Sequence, residues 1–148
     1  MIRDAIPADV PVLVDLARAM HQESRFRVFP FSEQKVSAIF SNCIAMPGGI
    51  AFAAERDGRI IGFAAGAICD HPMFDMLMAF EYAIYVLPEH RGGLSGLRLL
   101  KAYVSRARDA GVVDINAGVT TAISVDRTAR MYELAGLYAI GTLFNTTR

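Results

Sequence analysis

The chain predicts an α/β domain of the α+β kind, with a central, mostly antiparallel mixed sheet and helices on both faces. Two observations predict it. Apolar residues recur with helical period in four segments and alternate or run together, as strands do, in the stretches between and after them. No stretch rich in Pro, Gly or Ser divides the 148 residues, and 53% of them are hydrophobic, so residues 1–148 read as one domain with a real core.

The elements follow in order. Ile2 to Ala5 is a short edge strand. Pro7 suits the first turn of a helix and Asp9 sits where the helix dipole favours an anion. Leu13, Leu16, Ala17 and Met20 then carry a helix over 8–20. Residues 21–31 are polar and aromatic and end near Pro30. Ser32 opens a second helix through Val36, Ile39, Phe40 and Cys43, which Pro47-Gly48-Gly49 closes. Strands over 50–55 and 60–69 flank the Asp57-Gly58 turn signal and form a hairpin. After a loop over 70–75, a longer strand runs over 76–87 to Pro88. Leu94, Leu97, Leu100, Val104 and Ala107 recur with helical period up to Gly111. A strand over 114–119, a helix over 126–135 and a final strand over 138–144 complete the chain.

Composition narrows the function. Lys plus Arg and Asp plus Glu are both 15, giving net charge 0, which argues against a general nucleic-acid binder. The longest apolar run, Ile60 to Cys69, is about half the ~20 residues of a membrane-spanning helix. The start of the chain lacks the apolar stretch of a signal peptide. Cys43 and Cys69 make neither a disulfide framework nor a zinc site and are expected buried and reduced. His21, His71 and His90 have no metal-ligand spacing, so no metal is expected. These features predict a cytoplasmic protein. The apolar final strand leaves room for a homodimer.

The most informative segment is Tyr85-Val86-Leu87-Pro88-Glu89-His90-Arg91-Gly92-Gly93-Leu94-Ser95-Gly96-Leu97. A strand ends at a proline, a basic glycine-rich loop follows, and a helix begins at once. The first amides of a helix have no intrahelical partner, and the dipole favours an anion there. Glycines allow close approach of the backbone, and Arg91 adds a permanent charge. The segment reads as a phosphate cradle or, in its plainer form, as a tight strand-to-helix turn. It is neither a P-loop nor a dinucleotide fingerprint.

The segment resembles the GNAT superfamily of acyl-CoA-dependent N-acetyltransferases, whose signature is a strand, Pro, two residues, [QR]-x-x-G-x-[GA] and a helix. Arg91 matches the first signature position and Gly96 the last, while Leu94 stands at the central glycine with Gly93 beside it. Asp126-Arg127-Thr128-Ala129-Arg130-Met131-Tyr132-Glu133 with Gly136-Leu137 is similar to the family's C-terminal N-x-x-A-x-x-[LF]-Y-E-x-x-G-F, with Asp126 in place of Asn. The resemblance implies acetyl transfer from acetyl-CoA to a primary amine, by direct attack in a ternary complex. It implies a pyrophosphate on the backbone of Arg91, Gly92, Gly93, Leu94, Ser95 and Gly96. It also implies a pantetheine arm along Tyr85, Val86 and Leu87, in a splay between the strands over 76–87 and 114–119.

Amine transfer needs a base. Glu81 is the only acid in the strand over 76–87; strict alternation puts it on one face with Ala83, Tyr85 and Leu87. Apolar surroundings should raise its pKa toward that of a general base. Tyr132 matches the tyrosine that in many family members protonates the departing thiolate. Asp126 can contact the pantetheine arm or cap its helix. The segments 21–31 and 70–76 are the expected acceptor walls. Two other readings stand beside this one: a non-catalytic acyl-CoA-binding sensor or interaction module, and a nucleotide- or phosphate-binding protein.

Overall fold

The computed structural model describes residues 1–147. Its strands are β1 (Ile2–Asp4), β2 (Gly49–Arg56), β3 (Arg59–Asp70), β4 (Leu77–Val86) and β5 (Asp114–Asn116), joined in that order into one sheet. The first three pairings are antiparallel and β4–β5 is parallel. Its α-helices are α1 (Val10–Glu23), α2 (Glu33–Ala45), α3 (Ser95–Asp109) and α4 (Val125–Leu134).

Alternation along the strands divides the core into two layers. Ile50, Phe52 and Ala64 meet Leu99, Leu100, Tyr103 and Tyr132 of α3 and α4 on one face. Ala51, Phe63 and Ala65 meet Leu13, Val14, Ala17, Phe40 and Cys43 of α1 and α2 on the other. Each large side chain buried this way stabilises the fold by about 1.5–3 kcal/mol. Asp57 and Gly58 both have positive φ, the geometry of a two-residue type I′ hairpin turn between β2 and β3.

Several elements differ from the sequence pattern. A 3₁₀ turn over Pro7–Asp9 precedes α1, which runs on to Glu23. Asp9 is buried and takes a bidentate pair from Arg3 at 2.7 and 3.1 Å, plus the Ile6 N–H, instead of lying free at a helix start. Leu94 is exposed at the N-cap of α3, off the apolar stripe that Leu99, Leu100, Tyr103, Val104 and Ala107 form. Ser124, not Asp126, occupies the N-cap of α4. Cys69 is exposed near the end of β3, whereas Cys43 is buried as expected.

The expected strand over 138–144 is irregular chain. Tyr138, Ile140, Leu143 and Phe144 are apolar enough for a strand but are exposed, and no strand among the described residues pairs with their backbone. The strand over 114–119 is shorter than its pattern, ending at Asn116.

The largest departure lies in β4. Ala65 pairs with Ala83 but Gly66 pairs with Glu81, so Tyr82 is an extra residue without a partner on β3. This bulge reverses the alternation. Tyr85 and Ala83 face α1 and α2, whereas Glu81 faces α4 and reaches Tyr132. The expected sharing of one face by Glu81, Ala83 and Tyr85 is therefore corrected. Gly66 is where the bulge closes tightly. A Cβ there would lie 2.1 Å from the Phe80 carbonyl oxygen and 2.7 Å from the Tyr103 ring. Gly66→Ala is expected to cost about 1–3 kcal/mol through overpacking. Urea unfolding of the variant checks this, and an unchanged midpoint would contradict so tight a fit.

Candidate active site

β4 and β5 pair only from Met78↔Asp114 to Phe80↔Asn116. Beyond Phe80 the two chains part, and the edge of β4 from Tyr82 to Val86 is open on that side. The Leu87 N–H donates to the Ile61 carbonyl across β3, 2.9 Å away. In an antiparallel pair a residue's N–H and C=O point the same way, so those of Ile84 and Val86 point to the open edge. The backbone groups of Tyr85 and Leu87 face β3 instead, away from the position the sequence reading gave them. The opening is a cleft of about 440 Å³ whose walls include Tyr82, Ile84, Val86, Gly118, Thr120 and Met131.

The glycine-rich loop forms one end of the cleft. Gly92 has φ +101°, a conformation that suits glycine and turns the chain into α3. The first intrahelical bond is Arg98 N–H to the Leu94 carbonyl at 2.8 Å. The amides of Ser95, Gly96 and Leu97 thus start the helix without partners inside it. Gly92, Gly93, Leu94 and Gly96 line the cleft. Gly96 also lets α4 approach: a Cβ would sit 2.9 Å from the Met131 sulfur.

Arg91 has a different task from the one its charge suggested. Its Nε donates to the Val86 carbonyl at 2.8 Å, and its guanidinium grips the carboxylate of Glu23 at the end of α1, with Nη2 to Oε2 at 2.7 Å. The Tyr85 hydroxyl donates to the same carboxylate at 3.0 Å, and the guanidinium lies over the Tyr85 ring. Arg91 and Tyr85 together hold the Glu23 carboxyl below its ordinary pKa, against the opposing effect of burial. Glu23 escaped the sequence reading because its partners lie 62 and 68 positions away.

At the other end Glu81 and Tyr132 meet. The Tyr132 hydroxyl donates to Glu81 Oε2 at 2.8 Å, and the Gly118 N–H approaches the same oxygen at 3.4 Å. The hydroxyl also lies 3.2 Å from the Gly118 carbonyl. Burial pushes the Glu81 carboxyl up to about 7, with the bonds from Tyr132 and Gly118 pulling the other way. Burial and the neighbouring carboxylate push the Tyr132 hydroxyl far above its ordinary value. The loop from Gly118 to Ser124 holds Ala122 and Ser124 at positive φ, a strained path for non-glycine residues. Arg25 pins this loop from the 3₁₀ turn Arg25–Val28: its N–H donates to the Thr121 carbonyl and its Nε to the Thr120 carbonyl.

Asp126 is exposed and Ser95 is half-buried; neither lines the cleft, nor does Leu87. Phe26 of the segment 21–31 lines it, but the loop 70–76 does not, and Met73 and Phe74 there are exposed. Among the described residues no group of three or more His, Cys, Asp or Glu could hold a metal ion, and no helix is long and apolar enough to cross a membrane.

The Glu23 pair sets a pH dependence of stability. A carboxyl whose folded pKa is lowered stabilises above its unfolded pKa, near 4.3, and that contribution fades as pH falls toward the folded value. Glu23→Gln is expected to cost about 1 kcal/mol at pH 7 and less at pH 3. Urea unfolding at the two pH values measures the difference; an equal cost at both would contradict an ionic role.

Comparison with known proteins agrees with the geometry. The profile of the Acetyltransferase (GNAT) family matches residues 15–137. A structure of a predicted acetyltransferase from Clostridium acetobutylicum, solved with acetyl-CoA, superposes with TM-score 0.77 at 19% identity, covering 99% of this chain and 95% of that one. The ribosomal-protein-alanine N-acetyltransferase of Brucella melitensis biovar Abortus 2308 gives TM-score 0.74 at 16% identity over 100% and 99%. An aminoglycoside acetyltransferase from an uncultured soil metagenomic sample gives 0.73 at 17% over 100% and 97%. No curated protein matches the chain. With the family's profile matching most of its length, the chain belongs to the GNAT acetyltransferase family and is an acyltransferase enzyme.

Proposed function

We propose that the enzyme transfers an acetyl group from acetyl-CoA to a primary amine, by direct attack within a ternary complex. The observation that carries this reading is the Glu81–Tyr132 pair, joined at 2.8 Å in the same cleft as the glycine-rich start of α3. The residues fit the co-substrate. The unpartnered amides of Gly96 and Leu97, which line the cleft, suit its pyrophosphate. The open-edge groups of Ile84 and the Val86 N–H suit the amides of its pantetheine arm; the Val86 carbonyl is already taken by Arg91. Acetyl-CoA supplies the acyl group in activated form, as a thioester.

The protein's part is to manage protons. A free alkylamine with pKa near 10.4 is protonated at neutral pH and must lose a proton to attack. Glu81, with its carboxyl pushed up to about 7, is partly ionised there and accepts that proton directly or through water. Tyr132 keeps its hydroxyl proton and donates it to the departing sulfur. Both groups act at neighbouring oxygens, so uptake and release of protons stay local. Neither Cys43 nor Cys69 lines the cleft, which supports transfer without an acyl-cysteine.

Two measurements test the reading. Leu94→Asp sets a carboxylate at the N-cap of α3, where the helix dipole tolerates it but a pyrophosphate does not. Calorimetry is expected to show acetyl-CoA affinity falling about tenfold or more, with the thermal midpoint unchanged or higher. Unaltered affinity would place the co-substrate elsewhere. For the proton path, kcat/KM is expected to rise with pH to a plateau with an apparent pKa near 7, since Glu81 is active only when ionised. Glu81→Gln should lower the plateau about 10²–10⁴-fold and remove the acidic limb. Tyr132→Phe should lower kcat while leaving the acetyl-CoA affinity intact. A full-rate Glu81→Gln enzyme would rule out Glu81 as the base.

A further inference from the structure

The acceptor is the open part of that reading, and the inference below rests on it. An acceptor amine must reach Glu81, so the walls around Glu81 select it. Tyr82, extruded by the bulge, is adjacent and more than half exposed. Phe26 rides on the 3₁₀ turn that Arg25 pins to Thr120 and Thr121, in the loop that follows the Gly118 N–H beside Glu81. Tyr82, Phe26, Thr120 and Thr121 line the cleft, as does Met20 of α1.

The charges around the cleft are sorted. Among the described residues that line it, Glu81 is the only acid. Glu23 lies behind Arg91 and is fully engaged by it and by Tyr85. The lining cations lie elsewhere or are paired. Arg91 is held by Glu23. Arg127 approaches Gly92, with Nη2 3.7 Å from where a Cβ would stand, at the co-substrate end. Arg130 pairs with Glu133 at 3.0 Å. Arg25 does not line the cleft, and its guanidinium donates to the Thr120 and Thr147 carbonyls. Around Glu81 the cleft therefore offers one acid, two aromatic rings and two threonines, with Met20 elsewhere in its wall.

We propose that the acceptor is a monoamine on an apolar, otherwise uncharged body: an arylalkylamine or alkylamine. A polycation would bring several ammonium groups to a wall with a single carboxylate, and each unpaired charge loses solvation on entry. An amino acid would bring a carboxylate, and among the described residues no unpaired cation lines the cleft beside Glu81; Arg25, the cation next to that wall, lies over the Phe26 ring outside the lining with its donors on backbone carbonyls. An aryl or alkyl body instead covers Phe26 and Tyr82 and gains from removing apolar surface from water.

The test is a thiol-release assay with acetyl-CoA and six amines: 2-phenylethylamine and hexylamine, kanamycin and spermidine, glycine and glutamate. The first pair is expected to exceed the other four in kcat/KM by about tenfold or more, the range that apolar pocket contacts supply. Phe26→Asp, a half-exposed wall residue outside the proton machinery, should lower kcat/KM for 2-phenylethylamine about tenfold and raise it for spermidine. Faster turnover of kanamycin, spermidine or an amino acid by the unmodified enzyme overturns the acceptor class and leaves acetyl transfer standing. Turnover of no amine at all overturns acetyl transfer to amines and this inference together, and calorimetry with acetyl-CoA then shows whether the co-substrate site survives.

Discussion

Tyr82 has no partner on β3, and the rest of the site depends on that single extra residue. In a regular β4, Glu81 would share a face with Ala83 and Tyr85, against α1 and α2. The bulge turns Glu81 to the α4 face, where Tyr132 meets it at 2.8 Å. It leaves Tyr82 projecting into the cleft as well. The bulge is possible only because Gly66 on β3 has no side chain, so the Phe80 carbonyl and the Tyr103 ring can close over it. Bulges commonly re-aim a side chain at a functional site; here one device sets both the direction of Glu81 and the place of Tyr82 in the cleft wall.

A second constraint ties the first helix to the loop after β4. Glu23 ends α1 and receives Arg91 and Tyr85 together. Arg91 also takes the Val86 carbonyl, which would otherwise stand unpaired at the open edge. The arginine thus spends its donors on the frame of the glycine-rich loop. What is left to meet an anion is backbone: the first amides of α3, aimed by a helix whose Leu99, Leu100 and Tyr103 are fully buried in the core. Donors held by a packed helix need no reordering on binding, which favours affinity.

The two ends of the cleft divide the chemistry. One offers helix-start amides with Arg127 close by and suits a phosphate-bearing co-substrate. The other offers one raised carboxyl, one phenol and apolar walls, and suits an amine whose proton must be removed. The chain carries no net charge. On the proposed acceptor class, its selectivity would come from where charges are already paired rather than from how many there are.

Much of this was written in the sequence. Helical spacing marked the four helices, Asp57-Gly58 marked the hairpin, and the run from Pro88 to Gly96 marked a strand, a tight turn and a helix start, because these depend on neighbours within a few residues. Glu81 stood out as the one acid in an apolar strand. Tertiary structure decided the rest. Which face Glu81 takes depends on pairing with β3, and the sequence of β4 alone does not show a bulge. Whether Arg91 points at a ligand or at Glu23 depends on where α1 ends in space. Residues 138–144 are apolar like a strand yet form none, because a strand needs a partner for its backbone as well as a suitable composition. Local spacing determined the helices and the hairpin and singled out Glu81. Contacts between residues far apart in the chain aimed that acid, occupied the arginine and sorted the charges, since burial and charge pairing exist only once the chain has folded.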